Sequence, residues 1–121
     1  GALRMDVRSL HGRRKMAKFL FQARYTTEGA KGLAKDGGTG RRAAIEKMCA
    51  EAGGKLESFY FAFGDVDAYV TCDLPDATTA AAIALAVNQA GRASTTTTVL
   101  LTPEDFDKAA KKSVSYRPPG G

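Results

Sequence analysis

Between Lys18 and Thr26 the chain alternates, with Phe19, Phe21, Ala23 and Tyr25 on one side and Leu20, Gln22, Arg24 and Thr26 on the other. A period of two fits only an extended strand, and here the strand has one face more apolar than the other. The alternation returns in Leu56 to Phe63, where Phe59, Phe61 and Phe63 share a face opposite Tyr60 and Ala62. It returns again in Ala68 to Leu74 and in Thr95 to Leu101, the last rich in the β-branched residues that suit a pleated surface. Gly64-Asp65-Val66-Asp67 supplies turn chemistry between the second and third segments, so these two read as a hairpin.

The remaining segments have helical spacing. Thr27 to Lys35 reads as a helical turn that the Asp36-Gly37-Gly38-Thr39-Gly40 cluster interrupts, because each interior glycine costs about 1 kcal/mol in a helix. Thr39 is placed to cap the next helix, in which Ile45, Met48, Cys49 and Ala52 mark the buried stripe and Gly53-Gly54 the end. Asp76 or Thr78 caps an alanine-rich helix to Gln89, with Gly91 as its stop. The order is βαββαβ, an α+β sandwich of the ferredoxin-like, split βαβ kind with both helices on one face of the sheet. Right-handed crossovers would set the first and third strands side by side and parallel at the centre. Thr102-Pro103-Glu104-Asp105 opens an extra C-terminal helix to about Lys112, and Ser113 to Gly121 forms an extended proline-containing tail.

Two faces result from the alternation. The helices are expected to cover Phe19, Phe21, Phe59, Phe61, Phe63, Val70, Cys72, Leu74 and Val99. The opposite face carries Leu20, Gln22, Arg24, Tyr60, Tyr69, Thr71, Asp73, Thr96, Thr98 and Leu100. Two tyrosines and two leucines on an uncovered sheet predict that another subunit lies over it. With the first and third strands parallel, Arg24 and Asp73 would stand at similar heights and pair. Arg24, Tyr60, Tyr69 and Asp73 are then the candidate ligand-binding groups of a sheet-sheet interface, or a structural ion pair and interface tyrosines.

Charge narrows the partners. The chain carries a formal net charge of +5, but residues 1–15 hold five basic groups against Asp6, leaving the rest with a net of +1. The basicity belongs to a leader that reads as a disordered segment or a tag remnant, with Met16 as the expected natural start and the domain proper over residues 16–112. Nucleic-acid binding through tail arginines and sheet tyrosines is disfavoured by Asp73 on that sheet and by the small charge of the domain. The longest apolar run, Ala80 to Val87, is too short to cross a bilayer, and no secretion signal is apparent. Cys49 and Cys72 read as buried free thiols of a cytoplasmic protein. The one histidine, His11, sits in the leader. Ser-His and Cys-His pairs are therefore not available to the domain, two distant cysteines make no metal-ligand spacing, and neither metal nor cofactor is expected. Lys31, Arg41 and Arg42 flank the glycine cluster as a candidate anion site, although a loop between helices explains the same residues.

From Met16 onward the chain resembles GYD-domain proteins, a bacterial and archaeal family with no established activity. The resemblance rests on Phe19-Leu20-Phe21-Gln22-Ala23-Arg24-Tyr25-Thr26, Glu28-Gly29-Ala30-Lys31-Gly32-Leu33 and Arg41-Arg42-Ala43-Ala44-Ile45-Glu46. It continues in Gly53-Gly54-Lys55-Leu56-Glu57, Asp73-Leu74-Pro75-Asp76 and the closing Lys111 to Gly120. The signature of Gly, one residue, Tyr and Asp maps to Gly64, Val66 and Asp67, so its tyrosine is replaced here. Gly64 and Asp67 are otherwise explained by a turn, glycine for positive φ and aspartate for capping turn amides. The resemblance implies a ferredoxin-like fold and oligomers. The function expected is an oligomeric module holding a small ligand between sheets, with no reaction assigned. The alternative is a cofactor-independent enzyme of the dimeric α/β-barrel type, its cavity on the open sheet face.

Overall fold

The structure, a computed structural model, describes residues 15–121. Arg4, Arg8, His11, Arg13 and Arg14, and with them the reading of the basic leader, lie outside the described residues. The elements run β1 (Ala17–Tyr25), α1 (Thr27–Asp36), α2 (Gly38–Glu51), β2 (Lys55–Phe61), β3 (Ala68–Leu74), α3 (Ala77–Ala90), β4 (Ala93–Leu100) and α4 (Pro103–Ala110). The four strands form one sheet in the order β2-β3-β1-β4, the ferredoxin-like arrangement.

Every neighbouring pair is antiparallel, which corrects the expected parallel pairing of the first and third strands. The crossover through α1 and α2, the connection to which the handedness rule applies, joins β1 to β2, and those two do run parallel, but the hairpin folds β3 back between them. The direction of β3 reverses the register. Lys18 stands opposite Asp73 and Ala23 opposite Ala68, whereas Arg24 stands opposite Ser94 on β4. Six residues of β1 separate Lys18 from Arg24, a span of about 20 Å. The anticipated Arg24–Asp73 pair is therefore absent, because the two residues sit at opposite ends of the sheet.

Between α1 and α2 the glycine cluster costs less helix than expected. Thr26 caps α1 by accepting from the Gly29 amide (3.1 Å), and α1 runs a full ten residues. The break is confined to Gly37, whose φ of 80° lies in the left-handed region. Helix α2 restarts at once at Gly38, so Thr39 falls inside it and caps nothing; Gly37 is the N-cap, with no side-chain hydrogen bond. Asp76 caps α3 by accepting from the Thr79 amide (2.8 Å) and hydroxyl (2.7 Å), and Gly91 closes that helix in the left-handed conformation. Thr102 and Asp105 form a reciprocal capping box on α4, which stops at Ala110 rather than Lys112.

The core lies between α2, α3 and one face of the sheet. Phe19, Phe21 and Ala23 of β1 meet Val70, Cys72 and Leu74 of β3, Ile45 and Cys49 of α2, and Ala80 and Ile83 of α3. Burying each phenylalanine stabilises the fold by about 2–3 kcal/mol. Three members of the expected helix-covered face escape it in whole or in part, the first being Phe61, 40% exposed at the end of β2. Phe63 lies beyond the end of β2 and is fully exposed, and Val99 stands opposite Phe19 at the uncovered outer end of edge strand β4.

Packing of α1 against the start of β4 needs glycine at one position. The Arg92 carbonyl accepts from the Thr26 amide (3.0 Å) and the Thr26 hydroxyl (3.1 Å). A Cβ on Gly29 would fall 1.9 Å from that same oxygen. One turn on, a Cβ on Gly32 would meet nothing nearer than 3.8 Å. Gly29→Ala should therefore lower stability by about 1–3 kcal/mol through overpacking against backbone. Gly32→Ala should be neutral or stabilising by up to about 1 kcal/mol, since it only improves helix propensity. Urea unfolding of both variants checks the contrast, and equal effects would refute it.

Candidate functional site

On the face away from the helices the polar groups organise around Lys18. A β-bulge at Leu56/Ser58 inserts Glu57 into β2 and brings both Glu57 and Ser58 to the Thr71 hydroxyl. Lys18 Nζ donates to Asp73 (2.9 Å) and to Glu57. These contacts raise the Lys18 pKa, Asp73 contributing more than Glu57, and burial only partly opposes them. Glu57 is held below its ordinary value by Lys18 and then by Thr71. The cluster thus sets the Lys18 ammonium between two carboxylates at one end of the sheet, with Lys55 opposite Asp73 as a second cation acting on Glu57. Arg24 is exposed near the other end. Tyr60 and Tyr69 stand opposite each other on β2 and β3, 70% and 41% exposed. Of the four predicted ligand-binding residues, the structure brings the two tyrosines together, leaves Arg24 apart from Asp73, and gives Asp73 to Lys18. The lysine escaped the sequence reading because its partner depends on the direction of β3.

The predicted anion trio also separates. Lys31 faces Glu28 (3.7 Å) and Arg42 faces Glu46 (3.8 Å), both as exposed pairs along their helices. Such pairs are worth a few tenths of a kcal/mol. Arg41 turns the other way. It lies on the inward stripe of α2 with Ile45 and Met48, and lines a chamber of about 40 Å³ between α2, α3 and the sheet. Its Nε is buried and has no hydrogen-bond partner, and the same holds for Thr95 Oγ1, which lines the same chamber from β4.

Beside that chamber, Cys49 and Cys72 are free, buried thiols. Far apart in sequence, they are brought together by α2 and β3, their sulfurs 3.3 Å apart. The hydrogen bond with Cys49, reinforced by burial, pushes the Cys72 thiol well above its ordinary value, so it stays protonated.

The hairpin residues of the expected signature do something other than shape a turn. Gly64 is absent from the positive-φ positions, and a Cβ there would meet nothing within 4 Å, so no left-handed conformation explains it. Asp67 does not cap the turn. Its carboxylate accepts from the Tyr25 amide (2.9 Å) and its own amide donates to the Ala23 carbonyl (2.9 Å), which ties the hairpin to the end of β1. Val66, at the position of the signature tyrosine, is buried.

An antiparallel four-stranded sheet with its helices on one face, and a mixed polar and aromatic face left open, defines an α+β domain of the ferredoxin-like class. Within that class the chain belongs to the GYD domain family, whose model matches residues 19–110. No curated protein and no solved structure matches the chain. Among the described residues no helix is long and apolar enough to cross a membrane.

The Lys18 cluster has a pH signature. Because the Glu57 pKa is lowered in the folded chain, its contribution is present above the ordinary value of 4.5 and is lost as pH falls through the lower folded value. Both side chains are partly exposed, so the contribution should stay below about 1 kcal/mol. Glu57→Gln should lower the melting temperature slightly near neutral pH, with the gap to the parent closing in acid. Melting curves across pH test this, and a gap that persists at the most acid pH would refute it.

Proposed function

We propose that this domain works as a homo-oligomeric binding module whose subunits meet through the open sheet face. The observation that carries this reading is the chemistry of the face itself. Tyr60 and Tyr69 stand exposed opposite each other on β2 and β3, and the face carries the Asp73 and Glu57 carboxylates at one end and Arg24 at the other. Face-to-face sheets pack about 10 Å apart. A two-fold axis between the sheets and across the strands would bring Arg24 of one copy over the end of the other that carries the Asp73 and Glu57 carboxylates. A two-fold along the strands would oppose Arg24 to its own copy. Charge thus favours the first docking and makes the face complementary to itself.

The C-terminal arm supports the same reading. Helix α4 buries no residue, and Phe106, Val114 and Tyr116 of the arm are 64%, 80% and 73% exposed. These apolar groups find cover on a second copy. A small molecule enclosed by the interface would meet Arg24, Tyr60, Tyr69 and Asp73 there, with Lys18 already committed to Asp73.

Size-exclusion chromatography with light scattering should find a dimer or larger closed assembly at micromolar concentration. Arg24→Glu alone and Glu57→Arg alone should each weaken it, since each sets like charges against one another. The double variant should recover assembly at least tenfold over either single one by restoring the opposite pairing. A clean monomer for the parent protein would overturn the proposal, and single variants that assemble as the parent does would overturn the docking direction.

A further inference from the structure

The geometry points to a second site, inside one subunit: the chamber between α2, α3 and the sheet takes a small apolar carboxylate, held at its neck by Arg41 and Thr95. Three observations converge on it. First, the walls are apolar, with Phe21, Ile45, Met48, Phe59 and Val87 among them, so they suit a hydrocarbon body. Second, among the described residues the buried side-chain atoms without a hydrogen-bond partner, Arg41 Nε and Thr95 Oγ1, belong to residues that line this one chamber from two different elements. An orphaned donor is costly, and two of them around one space match the two oxygens of a carboxylate. Third, the chamber has a mouth. An outer hollow of about 120 Å³ between α1, α2 and Arg92 shares Tyr25, Arg41 and Ala93 with the inner chamber of about 40 Å³. The inner chamber alone is well below the ~150 Å³ that takes a benzene-sized molecule, so a ligand of that size spans both spaces.

The same groups set the charge of the ligand. Arg41 and Arg92 line the outer hollow together with Asp36, the last residue of α1. The Asp36 carboxylate disfavours a dianion, and a dianion entering apolar walls would carry the larger desolvation cost. A single negative charge on a planar head group fits the arginine fork, while the apolar walls call for a ring or short branched chain behind it. Arg41 is then the residue that reads the charge, Thr95 the one that orients it, and Arg92 the one that draws it to the mouth.

Benzoate is the test probe, with benzamide and inorganic phosphate as comparisons, measured by isothermal titration calorimetry on the intact chain. Benzoate should bind in the millimolar range or tighter, with benzamide and phosphate at least tenfold weaker. Arg41→Met and Thr95→Val should each weaken benzoate at least tenfold, whereas Arg42→Met on the exposed side of α2 should leave it unchanged. Without ligand, Arg41→Met should melt no lower than the parent, because it replaces an unpaired buried group with an apolar one of similar length. Benzoate affinity should also survive in Arg24→Glu, since the chamber lies within one subunit, which separates this result from the fate of the open-face dimer. Absence of millimolar benzoate binding, equal binding of benzamide or phosphate, undiminished binding in Arg41→Met, or a marked loss of stability in that variant would each overturn the assignment.

Discussion

The central position of β1 is the constraint on which the rest of this structure depends. It pairs with β3 on one side and β4 on the other, so its alternation is imposed on the whole sheet through register. Phe19 and Phe21 fix one face as the core, and their neighbours Lys18, Leu20, Gln22 and Arg24 are committed to the other whatever the cost. Two helices cover the first face. The second face must then be soluble or find a partner, and its aromatic pair and separated charges suit the partner better than they suit water.

The fold was legible because both periods are strong where they matter. The alternation of β1, β3 and the hairpin, the stripe of α2 and the caps at Asp76 and Thr102 all point to the same element order. Strand direction was not legible from pattern, since a strand reads the same alternation in either direction. The handedness rule governs β1 and β2, the strands that the α1–α2 crossover joins, and says nothing directly about β1 and β3. Applied to the wrong pair, it placed Arg24 beside Asp73. The antiparallel hairpin return puts Lys18 there instead, and a bulge that no pattern announces adds Glu57. One reversed direction thus moved the charge cluster from one end of the face to the other.

Arg41 was partly legible. Ile45, Met48 and Ala52 recur at helical spacing, and carrying that stripe back one turn lands on Arg41, half-buried at the edge of the core. The glycine cluster hid this, because it suggested a loop where α2 had already begun, and loop arginines face water. Lys31 and Arg42 occupy other faces of their helices and pair with Glu28 and Glu46, as solvated charges usually do. Thr95 gave no such signal. In a strand of four consecutive threonines only the pairing with β1 decides which hydroxyls turn toward the helices, and Thr95 stands opposite Ala23 on that side.

An arginine in this place is hard to account for by stability alone. Leaving a buried donor unpaired costs about 1–3 kcal/mol, against a net stability of about 5–15 kcal/mol for a domain of ordinary size. A methionine or leucine would fill the same stripe without leaving that donor unpaired. The Cys49–Cys72 contact in the adjacent core shows the ordinary solution, in which two weakly polar groups satisfy each other. Arg41 and Thr95 lack that reciprocity, and they flank a space that opens to the surface past Tyr25 and Ala93. Strain of this kind is explained when something else completes the hydrogen bonds, and the walls of the chamber specify its character: one negative charge in front and hydrocarbon behind.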